Sequence, residues 1–232
     1  MMFRISFLVF VLSLAGCQKE NNTLKLYQID KLLEQQQYDQ ALSLCHVDNE
    51  QDALDVDLLL RKAIALKELK QYEAAETALL SASQIDQENP QIKKTLAELH
   101  LTTGKAEEAQ KLFESITTEN IKKSSVFNSL GVSLDLQGYH VAAQEQYKKA
   151  ISLAPNNENY QSNLGMSLAF SNNLTEALVI LKPIMIHTKN RHNLALVYAM
   201  NHQLDEFHTL LEGEMDEVER IALLDNIRYN LK

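Results

Sequence analysis

A regular internal repeat constrains the fold of this chain more than any other feature of its sequence. Four series of small, aliphatic or aromatic residues recur at every thirty-fourth position along the chain. The series are Ala41, Ala75, Ala109, Ala143 and Ala177; Ala63, Ala97, Gly131 and Gly165; Cys45, Leu79, Phe113, Tyr147 and Leu181; and Ala82, Ile116, Ala150 and Ile184. With six Gly and three Pro in 232 residues, the composition favours helices over turn-rich strands. The pattern therefore predicts an all-α array of stacked helix pairs.

The segment from Ser124 to Asn157 is the clearest single unit. Its characteristic residues are Phe127, Leu130-Gly131, Leu134, Gly138-Tyr139, Ala143, Tyr147, Ala150 and Pro155. This order and spacing resemble the tetratricopeptide repeat (TPR), with Phe127 where Trp is usual and Leu134 where Tyr is usual. The resemblance implies a right-handed superhelix of antiparallel helix pairs.

Small residues at the repeat positions predict close contact between paired helices. Gly131 and Gly165 fall on the first helix of their units, and Ala143 and Ala177 fall on the second. Without large side chains at these positions, the two helix axes can approach closely where they cross. Pro183 falls inside the second helix of the fifth unit, where it must kink or end that helix because it removes a hydrogen bond.

The period breaks near the C-terminus. Asn193-Leu-Ala matches Asn163-Leu-Gly at the thirtieth position in place of the thirty-fourth. We therefore expect five to six helix pairs over residues 23–213, the sixth being shortened and running from about Arg191 to Gly213. Residues 214–232 are expected to form a C-terminal capping helix that docks through Ile221, Leu224 and Ile227.

The N-terminus has the features of a secretory address. Arg4 precedes an apolar run, Ile5 to Leu12, which is shorter than the roughly 20 residues that a membrane-spanning helix needs. Leu14-Ala-Gly-Cys17 follows and resembles a bacterial lipobox. The resemblance implies a signal peptide over residues 1–16, acyl chains on Cys17 and a lipidated tether over residues 17–22. An ordinary signal peptide with an incidental Cys is the alternative.

The residue after the lipobox indicates whether the protein is anchored at the inner or the outer membrane. In Gram-negative lipoproteins an Asp at that place retains the protein at the inner membrane, and here Gln18 follows. By this resemblance we expect a lipid anchor at the outer membrane with the array facing the periplasm. Acyl chains on Cys17 would leave Cys45 as the single free thiol of the mature chain, and its apolar surroundings predict that it is buried and inert.

Composition and motifs argue against catalysis and against nucleic acid. The net charge is −9 and the pI is near 5.3, whereas nucleic-acid binding needs clustered Lys and Arg. Phosphate-binding glycine loops, HExxH, CxxC and GxSxG are all absent from the sequence. His187, His192, His202 and His208 do not have metal-ligand spacing. The sequence therefore predicts a binding protein with no cofactor and no metal; an enzyme or sensor with a metal site on the array remains the alternative.

The TPR resemblance also implies a partner-binding groove lined by first helices. In this register the groove residues are Asn128, Asn163, Met166, Phe170, His192 and Asn193, with Val132, Asp135 and Ser162 in or near the groove. Asn163 occupies a place where peptide-clamping members of the family often have Asn. Lys and Arg are missing from matching positions of the next units, which disfavours a carboxylate clamp. Met166 and Phe170 could equally belong to the core between repeats.

A segment near the C-terminus suggests a more specific family. Leu174-Thr-Glu-Ala-Leu, Leu181-Lys-Pro183 and Arg191-His-Asn193-Leu-Ala-Leu-Val-Tyr198-Ala resemble the TadD family of tight-adherence (Tad/Flp) pilus assembly lipoproteins. The resemblance implies a role in assembling a secretin or other pilus component at the outer membrane. An adaptor for outer-membrane protein insertion or for cell-wall enzymes is the alternative.

Overall fold

The described part of the chain is built from helices. A computed structural model describes residues 22–46, 55–118, 123–184 and 188–230, and their regular elements are all helical. Residues 1–21, which include Cys17, the signal-peptide segment and most of the expected tether, lie outside the described residues. The chain divides after Thr103 into two compact units.

The described residues of the first unit form five helices. They are α1 (22–34), α2 (Tyr38–Leu44), α3 (Val56–Glu68), α4 (Tyr72–Ile85) and α5 (Pro90–Thr102). The polar residues Asp55 and Asn89 begin α3 and α5, because their side chains accept hydrogen bonds from the first backbone N–H groups of each helix.

In the second unit, the residues that the structure describes form eight α-helices. They are α6 (Ala106–Thr118), α7 (Ser124–Leu136), α8 (His140–Leu153), α9 (Glu158–Phe170), α10 (Leu174–Leu181), α11 (Thr188–Met200), α12 (Leu204–Leu211) and α13 (Glu217–Asn230). Helices α7 and α8, α9 and α10, and α11 and α12 pack as consecutive pairs. The all-α fold and the helix-pair repeat predicted from the sequence are confirmed.

The four periodic series form the core. Every one of their members is buried, and the alanines of the first series are fully inaccessible to solvent. A Cβ atom at Gly131 would lie 2.5 Å from the ring of Tyr147, and one at Gly165 would lie 2.6 Å from the Cγ atom of Leu181. The predicted close approach of the paired helices at these two glycines is confirmed.

In these helix pairs, a core residue of the first helix is matched in size to a core residue of the second helix. Ile29 shares its apolar cluster with the small Cys45, and Ala63 shares one with Leu79. Tyr147, one of the largest fully buried side chains, faces Gly131. A large residue at one position is thus accompanied by a small residue at the other, which keeps the packing dense without overlap.

The turns inside the pairs repeat as regularly as the core. Backbone φ is positive at equivalent positions of successive pairs, namely Gln36, Lys70, Gly104, Gly138 and Asn172, and again at His202, where the spacing is shorter. At Lys70, for example, the chain reverses through backbone bonds from Lys70 N to Lys67 O and from Gln71 N to Leu66 O. The residue with positive φ ends the first helix of each pair and directs the chain into the second helix. The shortened spacing of the sixth pair is therefore visible in the backbone.

The C-terminal elements differ in detail from the expectation. Helix α10 ends at Leu181 and continues as a 3₁₀ turn over Lys182–Ile184, as expected for a helix that contains Pro183. Helix α13 contacts α11 and buries Leu224 and Ile227, whereas Ile221 is 48% exposed. The expectation for Ile221 was wrong, because the inward stripe of α13 passes through Arg220, which is half-buried and donates to Met215 O at 2.6 Å.

Candidate partner-binding site

Two asparagines that were predicted to lie in the groove are hydrogen-bonded to each other. Asn163 of α9 donates from Nδ2 to Oδ1 of Asn128 of α7 at 2.8 Å, and both side chains are half-exposed. Together the two amides carry four N–H bonds and two oxygens. Their mutual bond therefore leaves N–H donors and one amide oxygen available to a ligand.

Apolar side chains continue the same face of α9. Met166 and Phe170 follow Asn163 at intervals of three and four residues, which places all three on one side of the helix. Met166 is half-buried and Phe170 is 51% exposed. Val132 lies one turn after Asn128 on α7 and is also half-buried. We call Asn128, Val132, Asn163, Met166 and Phe170 the first-helix face.

A polar network fixes the edge of this face. Asp135 accepts hydrogen bonds from Tyr147 Oη at 2.9 Å and from Ser167 Oγ at 2.7 Å, and its carboxylate lies 2.9 Å from His140 Nδ1. The ring of His140 packs against the ring of Phe170, with centroids 5.7 Å apart. Burial, followed by the Asp135 carboxylate, raises the pKa of Tyr147 far above its ordinary value. The network therefore holds α7, α8 and α9 in one arrangement.

The sequence did not identify this network. It placed Asp135 in or near the groove, whereas the structure directs its carboxylate onto the buried hydroxyl groups of Tyr147 and Ser167. The signal that could have found it is the polar Tyr147 in an otherwise apolar core series, because a buried hydroxyl needs a partner.

The two remaining groove candidates lie on α11. Asn193 donates from Nδ2 to Ser162 Oγ of α9 at 2.8 Å, which repeats the bridging of neighbouring first helices seen at Asn128 and Asn163. His192 lies 3.7 Å from Glu214, and Arg191 binds the same carboxylate at 2.6 Å. His192 therefore belongs to the contact between α11 and the turn before α13, and Asn193 to the contact between first helices.

A cleft lies at the opposite end of α9 from Phe170. It has a volume of about 770 Å³ and is lined by residues 154–159 and Asn190. Asn190 is 4% exposed and donates to Ile184 O at 3.0 Å and to Glu158 Oε2 at 3.2 Å. The amide nitrogen of Asn190 is therefore already hydrogen-bonded within the protein. The cleft has a polar wall, but this nitrogen is not left without a partner for a ligand to bind.

Neither a metal-binding cluster nor a membrane-spanning helix occurs among the described residues. Among them, no three His, Cys, Asp or Glu side chains lie close enough together to hold a metal ion. Within the same residues, no helix combines the length and the hydropathy needed to cross a bilayer.

The repeats match a known family, and the fold matches solved structures. Two segments, residues 56–89 and 124–157, match the tetratricopeptide repeat. The chain is similar to PilF of Pseudomonas aeruginosa, with a TM-score of 0.72 and 14% identity over 87% of this chain and 96% of that one. It is similar to YrrB, described as a TPR protein with an unusual peptide-binding site, with a TM-score of 0.60 and 19% identity over 75% and 94% of the two chains. At these identities the likeness establishes the fold.

A sequence relative covers a shorter region. An uncharacterized protein, y4yS, of Sinorhizobium fredii is 40% identical over 55 residues, which is 24% of this chain. The match spans 29% of that relative's length. The repeat matches, the helix pairs and the buried period together show a tetratricopeptide-repeat fold. Proteins of this class generally bind protein partners.

Proposed function

We propose that the protein is an outer-membrane-anchored TPR adaptor lipoprotein and not an enzyme. It assists assembly of a tight-adherence (Flp) type IVb pilus secretion system by binding a segment of a secretin or another pilus component. The lipobox at Leu14–Cys17 and the resemblance of residues 174–199 to the TadD family support the anchor and the pathway. Acyl chains on Cys17 would hold the array at the membrane, since two chains suffice for stable anchoring.

The observation that carries the binding role is the composition of the first-helix face. A half-exposed amide pair with free donors and an acceptor lies beside Met166 and the 51% exposed ring of Phe170. Affinity between proteins is usually concentrated in a few apolar or aromatic anchors with neighbouring polar groups that orient the partner. Asn163, Met166 and Phe170 supply both kinds of contact on one helix.

The test is a pull-down of detergent-solubilised outer membrane with the mature protein. The test variant combines Phe170→Ala with Asn163→Ala, and the control variant combines Val179→Ala with Thr175→Ala, two exposed positions on α10. Loss of the anchor and its neighbouring amide should weaken partner binding by about 2 kcal/mol, which is roughly thirtyfold. The control should recover partners as the parent does.

The identity of the recovered partner decides the pathway. Recovery of a secretin or pilus component by the parent and the control, and not by the test variant, is the expected result. Equal recovery by all three folded proteins would contradict the assignment of the face. Recovery of a subunit of the insertion machinery would instead favour an adaptor for outer-membrane protein insertion.

A further inference from the structure

Two first helices of the second unit, α7 and α9, are almost free of charge. Among the twenty-six residues of α7 and α9, Asp135 and Glu158 are the only charged side chains. Asp135 is held by Tyr147 and Ser167, and Glu158 accepts from Asn190. The rest of the surface of these two helices therefore presents amides, hydroxyl groups and apolar side chains.

The first unit has the opposite character. Helix α3 alone carries five charged residues among thirteen. Arg61 of α3 binds Asp30 of α1 through two bonds of 2.7 and 2.8 Å, and it also lies 3.5 Å from Asp57. The low charge of α7 and α9 is thus a property of these two helices and not a general consequence of the repeat.

Charge on a partner would be unfavourable at the first-helix face. A charged side chain that docks there loses water, and the face offers no oppositely charged group to compensate. Uncharged polar groups have a much smaller desolvation penalty, and hydrogen bonds to the amide pair offset it.

We propose that the first-helix face binds an extended segment that has no charged side chains. The main chain of the segment hydrogen bonds to the Asn128–Asn163 amide pair, and an apolar side chain covers Met166 and Phe170. An extended segment fits better than a helix, because the main-chain N–H and C=O groups of a helix are already bonded to each other. This inference rests on the proposed function and names the chemical class of its partner.

The dimensions of the face set the length of the segment. Asn163 and Phe170 are seven residues apart on a helix, which is about 10 Å along its axis. An extended chain covers this distance in about three residues, with alternate side chains on the same side. A segment of about five residues therefore reaches from the amide pair to the ring of Phe170.

The first experiment selects peptides on the purified mature protein. The probe is a phage-displayed library of random peptides of about twelve residues, which is ample for a five-residue contact. Selected sequences are expected to be depleted in Asp, Glu, Lys and Arg relative to the input library. A synthetic peptide from the selection should bind Asn163→Ala about tenfold more weakly than the parent, as for the loss of a hydrogen-bonding group, and should bind equally well at low and high salt.

A designed charge should reverse the preference. Met166→Lys places a cation on the face, and the same register position holds Asp30 and Glu98 in the first unit, so the fold accommodates charge there. Selection on Met166→Lys should enrich Asp and Glu. Ile64→Lys is the matched control, because Ile64 occupies the same position on α3 and is also half-buried. It should leave the selected sequences uncharged.

The outcomes separate this inference from the proposed function. Enrichment of charged peptides by the parent, or failure to select any peptide, overturns the inference of an uncharged extended segment. The pull-down from membrane can still succeed in either case, and it would then support a folded or charged partner on the same face. A failed pull-down together with selected uncharged peptides would support the inference and reject the pilus assignment.

Discussion

Gly131→Ala tests the packing of the repeat most directly. The added methyl group would lie 2.5, 2.8 and 2.9 Å from three ring atoms of Tyr147, whereas ordinary contacts begin at 3.4 Å. The ring would have to move by about 0.9 Å. Tyr147 is 1% exposed, and its hydroxyl group is held by Asp135 at 2.9 Å, so movement strains both its packing and its hydrogen bond.

The expected loss of stability follows from opposing terms. Replacing Gly by Ala inside a helix contributes about 1 kcal/mol in favour of folding. Overpacking costs about 1–3 kcal/mol. Weakening without breaking the hydrogen bond to Asp135 costs about 1 kcal/mol, a part of what a hydrogen bond to a charged group contributes. We expect Gly131→Ala to lower the free energy of unfolding by about 1–3 kcal/mol, and Gly131→Leu to lower it further.

The assay is urea and thermal unfolding followed by circular dichroism, with Ser129→Ala on the same helix as the control. The melting temperature of Gly131→Ala should fall on the order of 5 °C, and the control should stay close to the parent. Combining Gly131→Ala with Tyr147→Leu recreates the Ala63 and Leu79 combination of the first unit. The double variant should therefore lose less free energy of unfolding than the sum of the losses of the two single variants. A Gly131→Ala protein as stable as the parent, or strictly additive losses, would refute the reasoning.

Three further predictions concern other parts of the chain. Cys17→Ser should abolish incorporation of a labelled fatty acid, and label retained by the variant would contradict the lipobox interpretation. Lys70→Gly and His202→Gly should each stabilise the protein by about 0.5–1 kcal/mol in urea unfolding, because their φ angles of 61° and 57° suit glycine, as at Gly138; a lower unfolding midpoint would count against this. Burial raises the pKa of Cys45 from 9.0 to about 11, so its stabilising contribution is complete below pH 9.0 and decreases as the pH rises toward 11. The decrease should be at most about 1.4 kcal/mol per pH unit and absent from Cys45→Ala, and identical pH dependence of the two proteins would disprove it.

The sequence predicted the core because the core follows the period. Ala41, Ala75 and Tyr147 had to be buried once one period was recognised as one helix pair, and the structure confirms it. The Asn128–Asn163 bond could not be predicted in this way. The period places both residues on first helices, but which amides meet depends on the rotation of α9 against α7, and packing of the whole unit determines that rotation.

The orientation of Asp135 was equally inaccessible to the pattern. By position it belongs beside the groove, yet the hydroxyl groups of Tyr147 and Ser167 compete for its carboxylate inside the protein. Such a competition depends on three helices at once, whereas helical spacing describes one helix at a time. The partner-binding role of the first-helix face therefore remains a prediction for the pull-down to test.

The matched sizes at residues 131 and 147 limit how a gene for such a chain can be rearranged. A duplication or crossover that ends in a turn between pairs, such as residues 154–157, transfers both facing residues together. A crossover inside a pair, at Gly138 for example, would join the first helix of one ancestor to the second helix of another. Ala63 would then face Tyr147, and the methyl group would meet the ring. Viable recombinants are therefore expected to exchange whole repeats, so that the helix pair is the unit of inheritance as well as of packing.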